Sequence, residues 1–164
     1  MTSIKMLGVT MSNHLSFGEH VREVIGKCAQ SLYVLKLLRH HGMNDDSLGH
    51  VYEAVVLSKL LYASSSWWGF TCAADRQRLE ASIRRAVWSR FYASDEASMS
   101  RLVADSDDKL FDNIRYNPHH VLHQLLPDKN DYTYNLRPRR HSFSLIFKTD
   151  RRSFLNRQLY KDIY

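Results

Sequence analysis

Seven apolar residues, Val21, Val24, Ile25, Cys28, Leu32, Leu35 and Leu38, recur at steps of three and four. That period is the signature of one long helix with a single apolar stripe, and a chain that carries it must supply other elements to cover the stripe. Ser16 and Glu19 stand three apart just before the stripe, the pattern of a capping box, and Gly42 after His40-His41 reads as a C-terminal stop. The covering elements are legible downstream. Leu48, Val51, Tyr52, Val55 and Val56 follow Asn44-Asp45-Asp46, acidic residues suited to a helix N-terminus, and the stripe runs on to Leu60-Leu61. Leu79, Ile83, Ala86, Val87 and Phe91 predict a third helix over 75–91. Met99, Leu102, Val103, Leu110, Phe111 and Ile114 predict a fourth over 98–117, ended by Pro118. Residues 119–126 suit a short fifth helix.

The ends differ from this pattern. Residues 4–11 read as one short strand, with Gly8 marking a bulge or a close backbone approach and no obvious partner strand. From Asp128 the periodicity dissolves. Pro138 disfavours helix at Arg137, so 136–141 reads as basic and extended, 142–147 as a short strand or arm, and 150–164 as a small amphipathic helix. The fold class expected is mainly α: a small helical bundle preceded by one short β-strand and followed by a basic, partly extended tail. The boundaries fall at 1–12, 13–127 and 128–164.

Charge separates the same parts. Residues 1–134 hold 15 basic and 15 acidic residues, whereas 135–164 hold 8 and 2, so the formal net charge of +6 lies in the last 30 residues. Such asymmetry points to a polyanion or to a solvating tail. Tyr132, Tyr134, Arg137, Arg139, Arg140 and His141 interleave rings with cations, the combination that stacks on bases and forks onto phosphates. The same residues equally suit a strap that wraps its own domain, with the tyrosines as anchors. No apolar run reaches the roughly 18–20 residues of a membrane span. With no leader pattern at the N-terminus and two cysteines in no pairing pattern, an intracellular chain of the cytoplasm or nucleus with reduced thiols is expected.

Catalytic constellations are weak. Asp45-Asp46 suits a helix N-terminus better than a metal pair, and Asp105, Asp107 and Asp108 point in different directions on a helix. His119 and His123 have the i, i+4 spacing for zinc, but the intervening residue that a zinc protease needs as Glu is His120, and no cysteine is near. There is no Gly-x-Ser-x-Gly elbow and no phosphate-cradling glycine loop. The aromatic, serine-rich segment 62–70, with Trp67 and Trp68, suits closure of the helix pair or a docking patch for a protein partner.

Several segments, in order, resemble the C-terminal region of reverse transcriptases from LINE-type, non-LTR retrotransposons of the jockey kind. Lys5-Met-Leu-Gly-Val9 followed by Asn13-His-Leu-Ser-Phe17 and Glu19-His20-Val21 resembles the stretch after the palm. Tyr62-Ala-Ser-Ser-Ser-Trp67-Trp68-Gly69 resembles the Tyr-Ala-x-x-x-Trp segment of the thumb, and 73–80, 110–115, 132–141 and 159–164 resemble the remainder. The resemblance implies a thumb and tail that hold an RNA/DNA template–primer duplex. Leu7, Gly8 and Val9 match the primer grip, and Arg76, Arg84 and Arg85 are candidates for the duplex-facing helix, where shape and backbone contacts hold an A-form-like duplex. Arg76, Arg84 and Arg85 equally suit an ordinary solvated face. Tyr134, Arg137, Arg139, Arg140 and His141 are the candidates in the tail.

The family's magnesium-binding aromatic-Ala-Asp-Asp hairpin does not occur; Phe91-Tyr92-Ala93-Ser94-Asp95 comes nearest and lacks the paired acids. The resemblance therefore implies no catalysis, no cofactor, no membrane and no small-molecule substrate for this chain, whose Met1 falls where a longer frame would continue. It also implies that the first strand pairs with a neighbour outside the chain. A helical protein-interaction module and a product of a degenerate element without function are the alternatives.

Overall fold

The computed structural model describes residues 3–92, 98–130, 140–145, 150 and 152–161. The chain is mainly helical, a small bundle preceded by short β structure, as the periodicities require. Its contacts divide it into two units, residues 1–104 and 105–164. The expected limit at 127 does not coincide with this division: the second half of the fourth helix groups with the chain that follows it.

The first unit opens with a β-hairpin, which corrects the expectation of one partnerless strand. β1 (Ser3–Met6) and β2 (Val9–Ser12) pair antiparallel, Met6 opposite Val9 and Ile4 opposite Met11. The cause is local. Leu7 and Gly8 both adopt positive φ, 47° and 82°, the two-residue turn whose twist matches that of the strands it joins.

α1 (Gly18–His40) follows, and it starts without the expected capping box. The residue before it, Phe17, makes no side-chain cap bond. Phe17 is instead buried with its ring 5.7 Å from that of Phe70, and this packing fixes how the chain enters the helix. The far end matches expectation. Gly42 at φ 92° lets its N–H reach the carbonyl of Arg39 and that of Met43 reach Leu38, a Schellman end. α5 (Ala73–Trp88) ends in the same way, with Arg90 and Phe91 bonding Val87 and Ala86, but its left-handed residue is Arg90, φ 55°.

The second apolar stripe is not one α-helix. α2 (Asp45–Val51), capped by Asn44 accepting from the Ser47 N–H at 2.8 Å, passes into a π-helical stretch, Tyr52–Leu57, and then α3 (Ser58–Leu61). Ser58 N–H bonds Glu53, five residues back. The carbonyl of Ala54, which an α-helix would have given to that N–H, takes the Ser58 hydroxyl instead.

α4 (Ser64–Trp67) and a 3₁₀ turn, Trp68–Phe70, close the end of this helix pair. Ala63 reverses the chain at φ 50°, which brings Trp67 back so that its Nε1 donates to the carbonyl of Tyr62 at 3.0 Å. Trp67, Tyr52, Leu48, Leu60, Leu79, Ile83 and Phe91 are almost fully buried in the core of the unit. The start of α6 (Met99–Tyr116) is held by α5: Glu80 accepts from the N–H groups of Met99 and Ser100 at 3.0 and 3.2 Å.

The second unit has its own core of Phe111, Phe143 and Leu159. Residues 119–126, expected as a short helix, form a 3₁₀ turn, Val121–Leu125. Lys129 pairs with Phe143 in a single antiparallel bridge. The C-terminal amphipathic helix is α7 (Phe154–Leu159). Among the described residues no helix is long and apolar enough to cross a membrane.

Candidate nucleic-acid interface

α1 and α5 pack side by side in the first unit, and a groove along them is lined by Arg22, Arg78 and Arg85, with Ile25, Ala74 and Ala81 as its floor. Arg78 and Arg85 are seven residues apart on α5, two helical turns on one face, so their heads repeat at roughly 10.5 Å along the groove. Alanines at 74 and 81, again seven apart, keep the space between the arginines open. Asp75 lies 3.8 Å from Arg78; Arg22 and Arg85 have no acidic partner among the described residues. The arrangement is a groove lined by three arginines, two of them without an acidic partner among the described residues.

Of the three arginines singled out by position on the third helix, only Arg85 stands in this groove. Arg76 is turned to its own fold: its guanidinium lies 5.0 Å from the ring centre of Trp68, its Nε donates to the Thr71 hydroxyl at 3.0 Å, and it reaches the Trp68 carbonyl. Arg84 is exposed outside the groove lining. Arg22 and Arg78 were not singled out in the sequence. Their signal was available in part, since the Arg78–Arg85 heptad spacing is visible, but the partner face on α1 emerges only when the two helices pack.

At the hairpin, Leu7 is 85% exposed at the tip. Its carbonyl accepts from the Tyr62 hydroxyl at 2.9 Å, and a Cβ at Gly8 would stand 3.6 Å from the Tyr62 ring. That is ordinary contact, so Gly8 is needed for its turn conformation, φ 82°, and not for space. Val9 is half-buried against the core.

The tail candidates divide. Tyr134, Arg137 and Arg139 lie outside the described residues. Arg140 is not a free cation: it pairs with Asp108 at 2.7 Å and Asp112 at 3.6 Å and bonds Gln158 at 3.2 Å. His141 is buried, its Nε2 donating to the Leu159 carbonyl at 2.9 Å and its Nδ1 accepting from the Phe143 N–H. Arg157 pairs with the buried carboxylate of Asp107 at 2.8 Å, and Lys161 with Asp108 at 2.7 Å. Asp107, Asp108 and Asp112 on α6 are therefore clamps for the basic residues of the tail. Partial burial pushes the Asp108 carboxyl up, but the bonds and charges of Lys161 and Arg140 outweigh it and hold it below the usual carboxylate range. Between its two sequence readings, the described part of the tail follows the strap.

The histidine motif is likewise structural. His120 accepts from the Leu122 N–H at 3.1 Å, and His123 Nδ1 donates to the Ile114 carbonyl at 2.7 Å. Among the described residues no group of three or more His, Cys, Asp or Glu is arranged around a metal position. Trp67 and Trp68 are 1% and 8% exposed, so the segment 62–70 closes the core and does not offer its indoles to a partner. Both cysteines are free, Cys28 buried and Cys72 exposed. Burial pushes the Cys28 thiol up to about 11, which keeps it a neutral core residue.

No protein-family model matches the chain, and neither a curated protein nor a solved structure is significantly similar to it.

Proposed function

We propose that the chain is the thumb and tail of a non-LTR retrotransposon reverse transcriptase, a region that holds the template–primer duplex and performs no polymerisation by itself. The observation that carries this reading is the α1–α5 groove with Arg22, Arg78 and Arg85 along it, the kind of cationic face that an A-form-like duplex requires, since such a duplex is gripped through its backbone. The exposed hairpin tip at Leu7-Gly8, anchored by Tyr62, supports it, because the resemblance puts the primer grip at these residues. Catalysis is left out of the proposal because the sequence has no aromatic-Ala-Asp-Asp hairpin.

The test is an anisotropy titration of the full chain against a labelled RNA–DNA hybrid with a recessed 3′ end, at several salt concentrations. Three arginine–phosphate contacts give a log–log salt slope of roughly −2 to −3, and Arg22→Ala and Arg85→Ala should each flatten it by about 1. With deoxynucleotides and magnesium added, the primer should stay unextended. Salt-independent binding, no binding at low salt, or extension of the primer each overturns the proposal.

A further inference from the structure

A second groove lies on the other flank of α1, between that helix and the π-helical stretch. It has a volume of about 320 Å³ and is walled by Val34 and Leu38 on one side and Val51 and Val55 on the other. Val51 and Val55 line the far wall. Val55, within the stretch whose hydrogen bonds run five residues back, remains 39% exposed beside the groove. Val34 is 50% exposed, and Leu37 and Tyr33, at 45% and 70%, carry the apolar surface over the outer flank of α1. A contiguous patch of this kind, not filled by any described side chain, marks an interaction surface more often than a lone exposed leucine does.

Charge gives the groove a direction. Lys27, Ser31 and Lys59 stand together at one end: Ser31 bonds back to the Lys27 carbonyl, and Lys59 Nζ reaches the Ser31 hydroxyl at 3.4 Å. Lys27 is balanced by Glu23 at 2.6 Å. Lys59 has no acidic partner among the described residues, and no carboxylate lines the groove. The opposite end, at Leu38 and Val51, is apolar. From Lys27 to Leu38 the groove follows α1 for about 16 Å, three turns of helix, long enough to hold anchors at i, i+4 and i+7 of a docked helix, which span about 10.5 Å.

We infer that this groove receives an amphipathic helix of a partner protein, its apolar anchors between Val34, Leu38 and Val55 and an acidic residue about two turns away on Lys59. A helix fits better than a small ligand because the apolar surface continues out of the groove onto Leu37 and Tyr33. The inference is independent of nucleic-acid binding.

The full chain, isotope-labelled for NMR, is titrated with a synthetic sixteen-residue helical peptide carrying leucines at i, i+4 and i+7 and glutamates two turns away. A sister peptide has lysines in place of the glutamates. The acidic peptide should bind and shift the Val34 and Val55 methyl signals, with the basic peptide about tenfold weaker or more, and Lys59→Glu should reverse the preference. Val34→Asp, on an exposed position of α1, and Val55→Asp should each weaken binding about tenfold. If Val55→Asp fails to fold, Val34→Asp and Lys59→Glu carry the test. Equal affinity for the two peptides, no binding at millimolar peptide, or signal changes at Arg22 and Arg85 in place of Val34 and Val55 overturns the inference. So does self-association of the chain abolished by Val34→Asp, or binding of decanoate where the peptide fails.

Discussion

The hydroxyl of Tyr62 donates to the carbonyl of Leu7 across 2.9 Å, tying the end of the α2–α3 helix to the tip of a hairpin fifty-five residues earlier in the chain. Leu7 is held at φ 47°, a conformation that costs an L-residue about 1 kcal/mol or more and suits Asn far better. Leu7→Asn should therefore raise stability by roughly 0.5–1 kcal/mol, while Tyr62→Phe should lower it by about 1 kcal/mol, the net worth of one such bond. Urea unfolding followed by tryptophan fluorescence measures both, since all three tryptophans lie in the first unit. If Leu7→Asn also weakens duplex binding, the strain is retained for the exposed leucine itself.

The two Schellman ends of α1 and α5 predict effects of opposite sign. Gly42→Ala places a Cβ at φ 92° and should cost about 1 kcal/mol. Arg90→Gly relieves φ 55° at the equivalent position of α5 and should gain up to about 0.5 kcal/mol, after the extra freedom of glycine in the unfolded chain is deducted. The pair is read from thermal midpoints under one set of conditions.

Acid should act on the first unit through His20. The ring is buried, stands edge-on to Trp67 at 5.6 Å, and neither nitrogen has a hydrogen-bond partner among the described residues. Burial is the main cause that lowers its pKa below 6.5; Lys5 and Lys27 add to this, and Glu23 opposes it. The unfolded chain then binds the proton more readily, so stability is full above 6.5 and falls as pH drops below that value. His20→Phe, which keeps a ring against Trp67, should flatten this limb of the stability–pH curve. An unchanged curve between pH 7 and 5 would assign the acid sensitivity elsewhere.

In the second unit, acid acts lower. The Asp108 carboxyl is held below its ordinary 3.8 by Lys161 and Arg140 against the opposing effect of burial, so its contribution persists above that value and is lost as pH falls further. Removing a buried partner is more severe. Asp107 has a side chain 4% exposed, and Asp107→Ala should cost about 1.5–3 kcal/mol because it removes a charge-assisted bond to Arg157 from a buried position. Asp105→Ala, on an exposed position, should be nearly neutral. Hydrogen exchange over 105–161 reads these effects without interference from the first unit.

The apolar periodicity of 21–38, 79–91 and 99–114 suffices to locate α1, α5 and α6 and most of their inward faces, because burial of a stripe is a local demand written at steps of three and four. Gly42 and Asn44 likewise mark real ends. The hairpin was hidden because its turn is made by Leu7-Gly8, and a leucine at positive φ is not a turn signal in sequence. The capping box failed because the burial of Phe17 outweighed a surface hydrogen bond. The π-helical turn left no mark, since its valines satisfy an α-helical pattern as well. The candidate sites depended still more on packing. Whether an arginine faces a groove, a tryptophan or an aspartate is decided by what the neighbouring helix presents, so Arg85 joined Arg22 and Arg78 while Arg76 stacked on Trp68 and Arg140 was neutralised on α6. Sequence alone determined where the long helices α1, α5 and α6 lie and most of the residues they bury; only the tertiary structure decided which charges remain available to a partner, because that depends on pairings between residues tens of positions apart.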